Sequence, residues 1–234
     1  IAADYSFDGL DINMGCPVKK IVKNNACSAL IKFPEIAKDI VLATREGSGM
    51  PVSVKTRIGF NQVQTEEWIS HLLEAKPDAI TVHGRTQKMQ SEGTADWHEV
   101  RKAVHLRDGL YPSARILGNG DVQSFSDGLK KSEMYGVDGI MVGRGIFHDP
   151  SFFAKHAGWD YIARIQMLHR HLERFKKEWG TEKNYAILKR FFKIYVHSFE
   201  GAGELRAQLM ETHNCREAIR VLESNNMLYA DVSS

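Results

Sequence analysis

The residues best suited to chemistry in this sequence lie at the ends of short apolar segments. The first segment is Asp11-Ile12-Asn13-Met14-Gly15-Cys16-Pro17, where an apolar run ends on an amide, a glycine and a thiol held by proline. Four more segments share this design, at residues 52–57, 80–85, 116–121 and 140–145. Because reactive groups in a parallel β/α barrel gather where the strands end, we expect one shared site. The order thiol, lysine, histidine, Asn-Gly-Asp and Gly-Arg predicts a reactive cysteine beside a phosphorylated cofactor.

The last two segments predict where the phosphate would bind. Gly118 and Gly120 allow backbone N–H groups to approach an anion closely. Gly143-Arg144-Gly145 adds further N–H donors and a guanidinium group suited to phosphate. Glycine at a strand end is also ordinary turn chemistry, and for one loop alone the turn interpretation would be preferred.

A helix is predicted after each of the first four segments, because apolar residues there recur at i, i+3 and i+4. These helices cover residues 34–45, 65–74, 97–106 and 124–135. Strand followed by helix, repeated, indicates an α/β fold with a parallel sheet. A complete (β/α)8 TIM barrel has eight strands and five are found, so we expect a partial barrel.

Strand signals stop near Asp149-Pro150, and we place a domain boundary there, between residues 1–150 and 151–234. Beyond it, helices are predicted over residues 160–179, 184–198, 203–213 and 215–223. This all-α region also carries the positive excess of a chain whose net charge is +2. Its cations could face phosphates or could simply be solvated, and charge alone does not decide between the two. They are Arg164, Arg170, Arg174, Lys176, Lys177, Lys183, Lys189, Arg190 and Lys193.

Composition indicates a folded protein with a sizeable core, since 43% of the residues are apolar and 26% are charged. No apolar run approaches the roughly 18 to 20 residues that a membrane span needs, and the first residues lack the layout of a secretory signal. We therefore expect a cytoplasmic protein with no membrane partner. Cys16, Cys27 and Cys215 form neither a CxxC pair nor an even set, which argues against structural zinc and disulfide staples.

Five motifs, taken together, resemble those of the tRNA-dihydrouridine synthase family. They are residues 11–20 with 28–31, Lys55-Thr56-Arg57-Ile58-Gly59, His83-Gly84-Arg85-Thr86, Gly118-Asn119-Gly120-Asp121 and Val142-Gly143-Arg144-Gly145. Each motif is weak alone, but their order and spacing match over nearly the whole chain. The resemblance implies an FMN-binding barrel, represented here by its strands 4 to 8, followed by a helical tRNA-binding domain. The family's first three strands have no counterpart in this sequence.

The resemblance also implies a reaction and a role for the thiol. Uridine in tRNA is reduced to 5,6-dihydrouridine, with hydride from reduced FMN reaching C6 and an acid on the opposite face protonating C5. Cys16 is expected to be that acid, because a free cysteine with a pKa of about 8.5 is largely protonated at neutral pH. Cys27, in the same loop region, is the nearest rival, although we assign it and Cys215 structural roles. NADPH is implied as a transient reductant, since no separate dinucleotide motif is present.

By the same resemblance, a group of residues is expected to bind the cofactor. Lys55 and His83 would lie near flavin N1 and C2=O, where charge collects on reduction. The remaining members would hold the FMN phosphate or orient the ribityl chain and its loop: Asn119, Gly120, Asp121, Gly143 and Arg144.

A second group is expected to bind the RNA. The amide of Asn13 would read the uracil, and Arg57 and Arg85 would hold the target nucleotide or neighbouring phosphates. In the helical region three cations are spaced at i, i+4 and i+7, so they share one helix face that would meet tRNA phosphates. They are Arg170, Arg174 and Lys177.

Two other functions remain open at this point. One is an FMN oxidoreductase acting on a free pyrimidine-like metabolite, which would explain the thiol and the phosphate site but would leave the basic helices unused. The other is a non-catalytic RNA-binding relic, motivated by five strands where a barrel has eight.

Overall fold

A parallel sheet of five strands occupies the first of two units in this chain. The computed structural model describes residues 2–154 and 159–225. The chain divides into the units Ile1–Gly143 and Arg144–Ser234. The boundary predicted near Asp149-Pro150 falls inside the second unit, and the functional division that it implied stays a prediction.

The strands of the sheet lie side by side in chain order. They are β1 (Leu10–Asn13), β2 (Val52–Arg57), β3 (Ala79–His83), β4 (Arg115–Asn119) and β5 (Gly139–Met141). Each neighbouring pair is parallel. Buried β-branched residues recur at every second position of β2 and β3, as the pleat requires: Val52 and Val54, then Ile80 and Val82. The predicted α/β class with five parallel strands is confirmed.

Helices connect the strands of the first unit. They are α1 (Lys19–Lys23), α2 (Pro34–Ser48), α3 (Thr65–Glu74), α4 (Trp97–Leu110) and α5 (Phe125–Tyr135). Pro34 is the first residue of α2, and Gly49, in the left-handed region, ends it. The side chains of Asp96 and Ser124 accept backbone N–H groups at the starts of α4 and α5. Helix α1, with five residues, is too short for its apolar period to be recognised in sequence.

Close packing of α4 on the sheet explains a glycine in β4. A Cβ added at Gly118 would lie 2.3 Å from Cζ3 of Trp97, whose indole is buried. The indole Nε1 donates a hydrogen bond to the carbonyl of Gly120 at 3.0 Å. Gly118 therefore makes room for Trp97, which is a packing reason for a glycine that the sequence pattern attributed to anion binding.

The described part of the second unit contains helices and no strand. These are α6 (Tyr161–Trp179), α7 (Ala186–Lys189), α8 (Phe192–Tyr195), α9 (Ala202–Glu211) and α10 (Cys215–Ser224). The side chains of Asp160 and Asn214 accept backbone N–H groups at the starts of α6 and α10. Among the residues that the structure describes, no helix is both long enough and apolar enough to cross a membrane.

One helix predicted from the sequence, over residues 184–198, is instead the two short helices α7 and α8. Between them, Phe191 N–H bonds to the Leu188 carbonyl and Ile194 N–H bonds to the Phe191 carbonyl, both at 2.9 Å and both from i to i−3. Phe192 is buried in the core of the unit, and Phe191, which is partly buried, packs against the same core.

The core of the second unit forms along one stripe of α6. Ile165, Leu168, Leu172 and Phe175 line this stripe and are buried. They belong to one cluster with residues from the other helices of the unit: Leu188, Phe192, Leu205, Leu209 and Leu222. The stripe leaves another face of α6 in solvent.

The contact between Gly118 and Trp97 predicts the effect of adding one methyl group. Gly118→Ala should lower the free energy of unfolding by about 1 to 3 kcal/mol, because the rigid indole cannot yield 1 Å without disturbing α4. Denaturant unfolding followed by circular dichroism measures this. The matched control is Gly109→Ala, within α4, where an added Cβ meets nothing within 4 Å. That variant should be unchanged or more stable by up to about 1 kcal/mol. Equal stability of the Gly118 variant and the wild type would refute the packing explanation.

Candidate active site

The polar groups predicted at the strand ends lie along one edge of the sheet. In the strand register, Asn13 is beside Lys55, and Arg57 is beside His83, which is beside Asn119. Because all five strands are parallel, these positions are at the carboxyl ends of their strands. The sheet therefore brings side chains from β1 to β4 together, as the sequence predicted.

The loop that carries Cys16 is held by hydrogen bonds on both sides. The Asn13 Oδ1 accepts the backbone N–H groups of Gly15 and Cys16 at 3.0 and 3.1 Å, which closes a tight turn at the end of β1. The Cys16 carbonyl accepts the hydroxyl of Ser28, a fully buried residue, at 2.6 Å. The thiol residue itself is half-buried. A fixed backbone and a partly accessible side chain suit a group that must meet a substrate.

Cys27 lies beside this loop and differs from Cys16 in its surroundings. Burial, together with the nearby Cys16, raises the pKa of the Cys27 thiol. Its backbone has a φ of 53°, in the left-handed region. Cys215 is distant in sequence and is buried in the core of the second unit. The proton-donor role of Cys16 and the structural roles of the other two remain predictions.

Arg57 binds three backbone carbonyls rather than standing free at the edge. Its Nε donates to the Gly15 carbonyl at 2.7 Å, and its Nη1 donates to the carbonyls of Thr86 and Gln90 at 3.0 and 2.8 Å. The residue is 5% exposed. In this arrangement the guanidinium group ties the Cys16 loop to the loop that follows β3. The predicted contact of Arg57 with RNA stays a prediction.

Lys55 reaches from β2 to β4. Its Nζ donates to Asn119 Oδ1 at 3.3 Å, and Asn119 Nδ2 donates to the Met141 carbonyl at 2.8 Å, which fixes the orientation of the amide. Burial, followed by the charge of Arg57, lowers the pKa of Lys55. Among the described residues, no carboxylate forms an ion pair with this lysine. A half-buried cation with only a neutral partner indicates a site prepared for an electron-rich or anionic group.

A chain of three side chains extends from β3 to the loop after β4. Arg85 is 2% exposed and its Nη2 binds both carboxylate oxygens of Asp121, at 2.8 and 2.7 Å. Its Nη1 lies 3.1 Å from Nε2 of His83. The second carboxylate oxygen of Asp121 also accepts the Ala95 N–H at 2.7 Å. Burial opposes ionisation of Asp121, but the Ala95 hydrogen bond and the Arg85 guanidinium lower its pKa.

His83 is a neutral imidazole in these surroundings. Burial, followed by the charges of Arg57, Lys55 and Arg85, lowers its pKa to about 3. Since arginine has donors and no acceptor, His83 Nε2 must accept the Arg85 hydrogen bond. The ring proton is therefore on Nδ1. The Cδ2 and Nε2 edge faces Gly120, where an added Cβ would lie 3.0 Å from Cδ2.

The predicted phosphate-binding residues are only partly brought together. Gly120 has a φ of 120° and lies against Ala95 and His83, beside Asn119 and Asp121. Gly143 is exposed and has open space around it. Arg144 belongs to the second unit and is described there. Packing accounts for the glycine at 120, so its role in binding a phosphate stays a prediction, as do those of Gly143 and Arg144.

Comparison with known proteins decides the family. The sequence model described as dihydrouridine synthase matches residues 1–230. The chain belongs to the dihydrouridine synthase family. A "Probable tRNA-dihydrouridine synthase" of Staphylococcus aureus is 40% identical over 225 residues, covering 94% of this chain and 68% of the relative. A "Probable tRNA-dihydrouridine synthase 2" of Bacillus subtilis is 40% identical over 235 residues, covering 98% of this chain and 71% of the relative. The family resemblance found in the sequence is confirmed.

In the second unit of this dihydrouridine synthase family member, two basic surfaces are exposed. Arg170, Arg174 and Lys177 lie on the exposed face of α6, as their spacing predicted. A separate cavity of about 780 Å³ is lined by cations, histidines and aromatic rings. The Arg190 guanidinium lies 4.6 Å from the Phe191 ring centroid at this cavity, a cation–π contact. Its lining includes Arg144, Phe147, His148, Arg190, Phe191, Lys193 and His197.

Sequence reasoning missed the residues that support this site from behind. Ser28 holds the Cys16 carbonyl, and Gln87 Nε2 donates to the Pro17 carbonyl at 3.1 Å. Ala95 binds Asp121 through its backbone, and Trp97 binds the Gly120 carbonyl. Ser28 lies in a family motif and Trp97 in a helix predicted from its apolar period, but neither signal gives the role found here. Each of these residues acts across a contact between distant parts of the chain.

The depressed pKa of His83 predicts that the ring does not titrate near neutral pH. Its NMR signals should stay constant between about pH 8 and pH 5, with His83→Gln used to assign them. In the unfolded chain the pKa is 6.5 and in the folded chain about 3. Folding therefore favours the neutral ring, and stability is lost as the pH falls from 6.5 towards 3. A midpoint near pH 6 for the His83 signals would contradict this description of the site.

Proposed function

We propose that this chain catalyses the FMN-dependent reduction of uridine to 5,6-dihydrouridine in tRNA, with NADPH as the transient reductant. The observation that carries the proposal is one sheet edge that places a half-buried thiol near a cluster of hydrogen-bond donors in a member of this family. Both relatives named above carry names that begin "Probable tRNA-dihydrouridine synthase". We infer further that the sheet is part of a (β/α)8 barrel, that the helical region is its tRNA-binding domain, and that the protein acts in the cytoplasm.

The donor cluster fits a flavin. A flavin collects negative charge at N1 and C2=O on reduction, and positive or donor groups there favour the reduced form. Lys55 supplies an ammonium with no carboxylate partner among the described residues, and His83 supplies a neutral N–H. Asn119 holds the ammonium in place. The chemistry that bound FMN supplies is delivery of hydride to C6 of uracil.

Cys16 is the proton donor in this proposal. The C5=C6 bond of uracil gains hydride at C6 and the thiol proton at C5, so the electrons and the proton balance. The thiolate that remains is reprotonated from solvent. Ser28 and Arg57 hold the loop on either side of the thiol, which keeps Sγ in place while the base is bound.

Asn13 is suited to reading the base. Its Oδ1 is used within the turn, so its orientation is fixed. Its Nδ2 has no hydrogen-bond partner among the residues that the structure describes, and the residue is exposed. We propose that Nδ2 donates to a uracil carbonyl. The base must leave its stack to reach the edge, which costs about a few kcal/mol that backbone contacts elsewhere must supply.

The basic surfaces of the second unit are the proposed source of those contacts. The side chains of Arg170, Arg174 and Lys177 form no ion pair within the described ranges 2–154 and 159–225. Free cations on one helix face gain by releasing counterions from RNA phosphates, whatever the sequence. The cavity lined by Arg190 and Lys193 adds cations beside aromatic rings, a combination that suits nucleotides.

The proposal predicts that Cys16→Ala uncouples reduction of the flavin from reduction of the base. Dihydrouridine formation from unmodified tRNA should fall by about 10²- to 10⁴-fold, the usual contribution of a general acid. Flavin reduction by NADPH and tRNA binding should persist. Mass spectrometry of nucleosides and the flavin absorbance measure the two steps. Cys27→Ala is the matched control and should keep its activity.

If Cys27→Ala caused the larger loss, the wrong thiol would have been assigned. If the wild-type protein with FMN and NADPH reduced a free pyrimidine but not tRNA, the metabolite oxidoreductase would replace the synthase. If it failed to bind FMN and still bound tRNA, the RNA-binding relic would be favoured.

A second prediction concerns the exposed face of α6. Replacing Arg170, Arg174 and Lys177 with Ala should weaken tRNA binding. The magnitude of the negative slope of log K against log salt should fall by up to roughly 2 to 3. Flavin spectra should not change. The control replaces three exposed cations elsewhere in the second unit, Lys183, Arg216 and Arg220, with the same change in net charge. An equal effect in both triple variants would mean that only overall charge matters, and an unaltered slope would mean that this face is merely solvated.

A further inference from the structure

We propose that Asp121 and Arg85 are positioning residues that fix His83 as its Nδ1–H tautomer, so that the ring offers an N–H donor to the flavin. The inference rests on the proposed function for the identity of the ligand. It gives Arg85 a role other than the RNA contact predicted from the sequence.

The first step is the geometry of Arg85. Five hydrogen bonds hold its guanidinium group: Nε to the Glu92 carbonyl at 3.0 Å, Nη2 to the Gly93 carbonyl, Nη2 to both oxygens of Asp121, and Nη1 to His83 Nε2. A guanidinium group is planar and rigid, so binding at Nε and Nη2 decides where Nη1 points. Nη1 therefore aims a donor at one particular ring nitrogen.

The second step is the position of Asp121. Its φ is 49°, an uncommon conformation for a residue with a side chain, and it follows Gly120, whose φ is 120°. This backbone brings the carboxylate between Ala95 N–H and Arg85. The pair of charges is 2.7 Å apart, and the Arg85 side chain is 3% exposed. Removing Asp121 would leave the buried guanidinium group of Arg85 without its counterion.

The third step is the consequence for His83. A neutral histidine can carry its proton on either nitrogen, and the hydrogen bond at one nitrogen decides which. With Nε2 accepting from Arg85, and with Cδ2 against Gly120, the free donor is Nδ1–H on the other side of the ring. Among the described residues Nδ1 has no hydrogen-bond partner, so this donor is available to a ligand. The neighbouring cations Arg57 and Lys55 disfavour a second ring proton.

The test measures the tautomer directly. In the flavin-free wild-type protein with ¹⁵N-labelled histidine, Nδ1 of His83 should give the shift of a protonated nitrogen and Nε2 that of an unprotonated one. In Arg85→Met the donor to Nε2 is gone, so both nitrogens should take intermediate shifts or exchange roles. Asp121→Asn should change the two nitrogen shifts in the same direction but by less, because Arg85 remains and loses only the carboxylate that orients it. The affinity for FMN should fall by about 5- to 10-fold in Arg85→Met, the worth of one misplaced hydrogen bond.

The control distinguishes positioning from general loss of stability. Arg107 is also buried in the first unit and paired with a carboxylate, Asp138, at 2.6 Å, but it is not part of this chain of side chains. Arg107→Met should lower stability while leaving the His83 shifts and FMN affinity unchanged. An Nε2-protonated His83 in the wild type, or an unchanged tautomer in both Arg85→Met and Asp121→Asn, would overturn the proposal. Failure of dihydrouridine formation alone would count against the proposed function and not against this assignment, because the shifts are measured without flavin or tRNA.

Discussion

Buried guanidinium groups that bind backbone carbonyls are the constraint on which the rest of the site depends. Arg57 joins Gly15 to Thr86 and Gln90, and Arg85 joins Glu92 and Gly93 to Asp121. Each group connects loops that follow different strands, and an arginine inside a protein needs all of its donors satisfied. If the loops moved apart, a buried guanidinium group would lose its hydrogen-bond partners, which is unfavourable. These hydrogen bonds therefore fix the loops that follow the strands relative to one another, and the strand ends form a defined edge.

The same arginines determine the electrostatics of the edge. Arg57 contributes to the lowered pKa of both Lys55 and His83, after the effect of burial. Asp121 compensates the charge of Arg85 through an ion pair at 2.7 Å. The result is an ammonium and a neutral imidazole on neighbouring strands, with the positive charges of Arg57 and Arg85 close to the imidazole. Such a site favours a ligand that becomes more negative as it reacts, which is the property expected of a flavin undergoing reduction.

The two units meet different physical demands. In the first, the sheet register and tight contacts such as Trp97 against Gly118 place functional side chains precisely. In the second, an apolar stripe on α6 packs with short helices, and the exposed faces carry cations that need no exact geometry. Electrostatic contact with a polyanion tolerates such freedom, whereas proton and hydride transfer depend on positions within fractions of an ångström.

The sequence by itself determined the architecture and the family. Short apolar segments with polar ends, the first four each followed by a helical period, predicted five parallel strands, and the order of the motifs identified the dihydrouridine synthase family. It also placed Asn13, Lys55, His83 and Asn119 at one edge, because parallel strands end on the same side. Only the tertiary structure decided which hydrogen-bond and packing partners these groups have. Gly118 makes room for Trp97, and Arg85 binds His83 and Asp121. The helix predicted over residues 184–198 breaks at Phe191, next to the core that it shares with other helices. These features depend on contacts between residues far apart in sequence or on competition for a shared core. Local pattern carries no record of such contacts, because periodicity reports which face of an element is buried and not which atom it meets.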